Sequence, residues 1–107
     1  MGASKSASFS VEHNEMATLF KALSHPARIA IVEYLLSVDS CICGDIVNEL
    51  PLAQPTISQH LKELKNANII KGNIEGTAIC YCINPEIIQK IERHFNIISS
   101  KLKNECC

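Results

Sequence analysis

The apolar pattern of this chain changes period twice, and that limits its fold more than any single motif does. From residue 11 to about residue 66 apolar side chains recur at helical spacing. Between residues 69 and 83 they alternate, and from residue 85 a helical period returns. Such a chain needs helices first, a β-hairpin next and a helix last. With 107 residues it has room for one domain. Folding at this size buries roughly two-thirds of the surface the unfolded chain exposes, so a lone monomer would be modestly stable. Residues 1–10 are small and polar and are expected to be a disordered leader. Residues 11–104 form the expected domain, and residues 105–107 a cysteine-bearing tail.

The segments can be placed one by one. Met16, Leu19, Phe20 and Leu23 follow the i, i+3, i+4, i+7 rule of a first helix. Pro26 suits the first turn of a second, where its missing N–H costs nothing. That helix, through "ARIAIVEYLL", is apolar on most faces and should lie in the core. "SVDS" reads as a loop, and a short helix is expected around "GDIVNEL", ended by Pro51. Pro55 opens the next helix, "PTISQHLKELKNAN", with Ile57, Leu61 and Leu64 as its buried stripe. At about 100° per residue, Thr56, Gln59, Lys62, Glu63 and Asn66 point away from that stripe.

"IIKGNI" and "TAICYCI", separated by Glu75-Gly76, read as a hairpin. Alternation puts Ile79, Tyr81 and Ile83 on one face and Cys80 and Cys82 on the other. Asn84-Pro85 then starts a helix that could reach Lys103. Its apolar residues Ile88, Ile91, Phe95, Ile98 and Leu102 have the spacing of a heptad seam. A seam running so near the end of the chain predicts a partner helix, hence a homodimer through the terminal helices.

This order of elements is that of a mainly α (α+β) winged helix-turn-helix with a two-stranded wing. The helix at Pro55 can enter a DNA major groove by its first turns, with the wing beside it on the backbone. A two-fold dimer would present two such helices to a palindrome. Gln54, Thr56, Ser58 and Gln59 carry amides and hydroxyls able to read bases. His60 and Lys62 are placed for backbone contacts, and a half-buried place beside Leu61 and Leu64 is the other reading of His60. Lys71 is the only cation in the wing sequence. A net charge of −1 excludes a strongly basic coat but not a local basic surface.

The six cysteines come as three pairs, Cys41/Cys43, Cys80/Cys82 and Cys106/Cys107. No apolar run approaches the ~20 residues of a membrane span, and the N-terminus lacks the apolar core of a secretory signal. A cytoplasmic protein is therefore expected, with its thiols reduced. In that setting metal binding or redox chemistry gains weight over structural disulfides. Residues i and i+2 diverge in a helix but share a side in an extended segment. Cys41 and Cys43 precede the short helix or sit in its first turn, where the helix dipole favours thiolate. Paired thiolates suit soft ions. The face that carries Cys80 and Cys82 either offers them to an ion or oxidant, or is covered and makes them small hydrophobes.

The stretches "LSHPARIAIVEYLL", "CICGDIV" and "LAQPTISQHLKELKNANIIKGNIEGTAICYCINP" together resemble the ArsR/SmtB family of metal-sensing repressors, over residues 12–95. "QPTISQHLKEL" looks like its recognition helix and "IEGTAICYCI" like its wing. The resemblance implies a homodimer that holds operator DNA when empty and lets go when a soft or transition metal ion binds. The family's thiolate sensors carry a cysteine-x-cysteine near Cys41 and Cys43. The third cysteine that arsenic sensors place in the same helix is replaced here by Gly44, Asp45, Ile46 and Val47, and no cysteine precedes Cys41. Cys106 and Cys107 are then the expected further ligands. Three thiolates would suit trivalent arsenic or antimony; four would suit zinc, cadmium or lead. The family's second site, on the last helix, is not expected, because only His94, Glu86 and Glu92 are there and its acid–x–histidine start is missing.

The leading expectation is a repressor released by trivalent arsenic or antimony, with no required cofactor. A thiol-based redox or persulfide sensor of the same fold is the alternative. A zinc-stabilised interaction module without DNA binding is the alternative from another class, disfavoured because the usual CxxC knuckles are absent. An enzyme is not expected, since no glycine-rich anion-cradling loop accompanies the cysteines.

Overall fold

The computed structural model describes residues 7–38, 42–43, 50–75 and 78–102. Helix α1 spans Val11–Ala22 and helix α2 spans Pro26–Leu36. Strand β1 is Ile42–Cys43, helix α3 is Gln54–Asn66, and strands β2 and β3 are Ile70–Glu75 and Ala78–Ile83. Helix α4 spans Pro85–Ser100. The short helix expected around "GDIVNEL" and the cysteine tail lie outside the described residues.

Local chemistry sets most boundaries. Ser10 caps α1 by accepting from the His13 N–H at 3.0 Å, and His25 caps α2 by accepting from the Ala27 N–H on Nδ1 at 3.0 Å. Pro26, Pro55 and Pro85 all lie in first turns. Helix α3 begins one residue earlier than Pro55 and α4 stops short of Lys103, at Ser100. The end of α3 is a left-handed turn at Asn68, φ 64°. The Ile69 N–H donates to Leu64 O at 3.0 Å and the Asn68 N–H to Lys65 O at 2.9 Å. That is a Schellman pattern, and Leu64 and Ile69 bury the accompanying apolar contact.

The hairpin has the expected strands, with Glu75 opposite Ala78 and Ile70 opposite Ile83. The sheet carries one strand more than expected. β1 pairs antiparallel with the other edge of β3, giving the order β1-β3-β2. Without it that edge of β3 would present unpaired N–H and C=O groups. The core gathers Met16 and Leu19 from α1, Ile31 and Leu35 from α2, Ile57 and Leu64 from α3, and Ile69 and Ile70. Tyr81 and Ile83 pack against it from β3, and Ile87 and Ile91 from α4. Ile79, on the same face of β3, is exposed.

Helix α4 has no buried residue. Of its seam, Ile88 and Ile91 are half-buried, whereas Phe95 (52 % exposed), Ile98 and Leu102 (75 % exposed) face solvent. Phe20 of α1 joins this patch, its ring centroid 5.6 Å from that of Phe95. Lys90 bridges to Glu15 at 2.7 Å and ties α4 to α1. Both side chains are partly exposed, so the pair adds little stability.

Candidate nucleic-acid interface and cysteine segment

Helix α3 divides its residues sharply. Ile57, His60, Leu61 and Leu64 are buried, while Gln54, Thr56, Ser58, Gln59 and Lys62 are exposed. The exposed set forms a polar face over the first two turns and continues towards Lys65. Ala53 at the cap provides no side-chain acceptor. One member of the face is already engaged: Gln59 Nε2 donates to Glu63 Oε2 at 3.0 Å. Lys71, exposed on β2, is the cation the wing adds.

His60 is the correction to the expected interface. Of its two readings the structure follows the one beside Leu61 and Leu64, and more deeply than half-buried: it is only 7 % exposed. Its Nδ1 accepts from Arg28 Nε at 3.1 Å, and its ring centroid lies 4.5 Å from that of His25. Arg28 also donates from Nη1 to Ala22 O at 3.3 Å. One guanidinium thus joins the end of α1, the start of α2 and the inner face of α3. Burial, then the neighbouring His25, then Arg28 hold the His60 pKa below its ordinary value. With Nδ1 as acceptor, the neutral ring carries its proton on Nε2. The sequence held a signal for this: His60 is three residues after Ile57 and four before Leu64, on the apolar stripe.

The cysteines divide three ways. Cys41, Cys106 and Cys107 lie outside the described residues, and of Cys43 the backbone is described. That backbone is the second residue of β1 and pairs with Cys80 of β3. Cys80 is 1 % exposed and Cys82 half-buried, and both are disulfide-bonded. Asn73 Nδ2 also reaches Cys82 Sγ at 3.8 Å. Cys80 is thus covered and Cys82 only partly so. The periodicity of residues 69–83 gave no sign that β1 would bring the backbone of Cys43 alongside Cys80. On α4, His94 packs between Phe20 and Phe95, with centroids 6.1 and 6.0 Å away.

An exposed polar helix, seated by its apolar side on a three-helix core and flanked by a two-stranded wing, defines a winged helix-turn-helix. Residues 25–71 match the pattern of the family described as bacterial regulatory protein, arsR family. The chain is 40 % identical over 81 residues to the uncharacterised HTH-type transcriptional regulator MJ1325 of Methanocaldococcus jannaschii, covering 75 % of this chain and 90 % of that one. It is 28 % identical to the arsenical resistance operon repressor of Staphylococcus xylosus, over 91 % of this chain and 92 % of that protein. It is 37 % identical to a cadmium resistance transcriptional regulatory protein CadC homolog of Staphylococcus aureus, over 76 % and 68 %. Among solved structures, the homodimeric winged helix-turn-helix DNA-binding domain of Mb0332 from Mycobacterium bovis superposes with a TM-score of 0.64 at 20 % identity, covering 88 % of this chain and 87 % of that one.

The chain belongs to the ArsR/SmtB family: it is a DNA-binding transcriptional regulator and not an enzyme. No helix among the described residues is long and apolar enough to cross a membrane.

Proposed function

We propose that the chain is a homodimeric repressor that holds operator DNA when ligand-free and releases it when a thiophilic ion binds. Trivalent arsenic or antimony is the expected inducer, with cadmium, lead and zinc as further candidates. The observation that carries the DNA role is the division of α3: four buried residues seat the helix and leave Gln54, Thr56, Ser58, Gln59 and Lys62 outward. Lys62 and Lys71 take phosphates, and the amides and hydroxyls of the first turns face base edges. The exposed seam of α4 with Phe20 supports the dimer, because a monomer would leave this apolar patch in water.

Cys41 and Cys43 hold the ion, with Cys106 and Cys107 as further ligands. The similarity to an arsenical resistance operon repressor supports arsenic as the inducer. The cysteine segment immediately precedes the chain that leads into α3. Ion binding there shifts α3 and changes the spacing of the two readers. Couplings of about 1–3 kcal/mol would weaken DNA binding roughly 5- to 150-fold. Release by oxidation is the second reading, favoured by the disulfides at Cys80 and Cys82.

The test is fluorescence anisotropy with DNA from upstream of the protein's own gene. Reduced protein should bind and be released by micromolar arsenite or antimonite, and Cys41→Ser or Cys43→Ser should bind without release. Full release of both serine variants would place the ion elsewhere. Release by an oxidant alone would favour redox sensing, and no DNA binding would overturn the repressor reading.

A further inference from the structure

The disulfides of Cys80 and Cys82 need partners that the hairpin itself does not supply. Two residues apart on one strand, Cβ atoms are separated by roughly 6.5 Å. A disulfide needs about 3.5–4.5 Å. These two cysteines are therefore not bonded to each other, and their partners come from Cys41, Cys43, Cys106 and Cys107. The register of β1 on β3 sets Cys43 directly across from Cys80. Opposite residues of antiparallel strands share a face, with Cβ atoms about 4.5–5.5 Å apart. The near end of that range meets the disulfide requirement. Cys80 is also almost fully buried, so its partner has to come from an element packed on β3. β1 fills that place on the edge away from β2.

We propose that Cys43 and Cys80 form a cross-strand dithiol–disulfide couple that fastens the segment ahead of the recognition helix to the wing. A low-molecular-weight disulfide is the oxidant. The Cys43 thiolate attacks one of its sulfurs, forming a mixed disulfide and expelling one thiolate. The Cys80 thiolate then attacks the Cys43 sulfur and expels the second. The two cysteines give up two electrons and two protons, and the small disulfide leaves as two thiols. Oxidation consumes sulfur that the ion needs, so the two inputs exclude each other. This second claim rests on the ion-release reading above.

The linkage is tested on the full chain, reduced and then incubated with oxidised glutathione, digested without reductant and mapped by mass spectrometry. A crosslink between the peptides holding Cys43 and Cys80 is expected. It should persist in a Cys41→Ser, Cys82→Ser double variant and vanish in Cys43→Ser and in Cys80→Ser. Linkage of Cys80 to the tail cysteines, or no linkage in the wild-type chain, overturns the proposal. A separate arm titrates arsenite and follows arsenic–thiolate absorbance. The oxidised protein should bind at least about tenfold more weakly than the reduced protein, and equal affinity would overturn the competition. If the reduced protein does not bind arsenite, the ion reading fails while a mapped Cys43–Cys80 link still stands.

Discussion

At the scale of single residues, His60 shows how a polar side chain can serve the inside of a DNA-binding helix. Arg28 and His25 meet it there, and both carry or can gain positive charge. Protonating His60 would place a second cation against Arg28 and cost it the Nδ1 acceptor. Its folded pKa is depressed, so below about 6.5 the unfolded chain binds a proton that the folded chain resists. Stability is therefore present above the unfolded value and falls as pH drops through it towards the folded value. Thermal melts between pH 7.5 and 5.5 should show this loss. His60→Gln keeps an acceptor for Arg28 and should flatten the slope; an unchanged slope would assign it to other groups.

Elements are held in place by their ends as much as by their apolar faces. Asn68 stops α3 in a left-handed conformation, and Asn84 caps α4 by accepting from the Glu86 N–H at 3.3 Å. The Asn84 Nδ2 donates to Asn68 O at 2.9 Å, which joins the two ends. In urea titrations Asn68→Val should cost about 1–2 kcal/mol, and Asn68→Gly should be nearly neutral. Asn84→Ala should cost about 0.5–2 kcal/mol through the lost cap. The outward face of α3 is a separate matter, because its side chains contribute little to the core. Lys62→Ala and Lys71→Ala should each lower the salt dependence of operator binding by about one unit in log–log slope. The unfolding midpoint should stay put, and a slope that did not move would remove that lysine from the phosphate contacts.

The whole molecule is defined by what it leaves uncovered. Helix α4 sends Ile87 and Ile91 partly inward and leaves Ile98 and Phe95 outside, Phe95 beside Phe20 of α1, with Leu102 exposed just past the helix end. A charge placed in that patch should separate a dimer while sparing the core. Ile98→Glu is expected to sediment as a monomer with a normal helical spectrum and to lose operator binding, because one recognition helix reads only half a palindrome. A variant that remained dimeric would put the interface on another surface.

The four described helices, the hairpin and the apolar spacing of the last helix were legible along the chain, because each is written in a local period or a local breaker. Pro26, Pro55 and Pro85 suit first turns through their fixed φ and missing N–H, and the 3.6-to-2 change of period needs no distant partner. The polar side of α3 was legible for the same reason. Contacts between residues far apart in the chain were not legible in this way. His60 lies on the apolar stripe of α3, but the partner that satisfies it there, Arg28, is thirty-two positions away. The strand at Ile42–Cys43 is two residues long, too short for any period to show, and exists because the edge of β3 accepts its hydrogen bonds. That pairing alone brought Cys43 alongside Cys80.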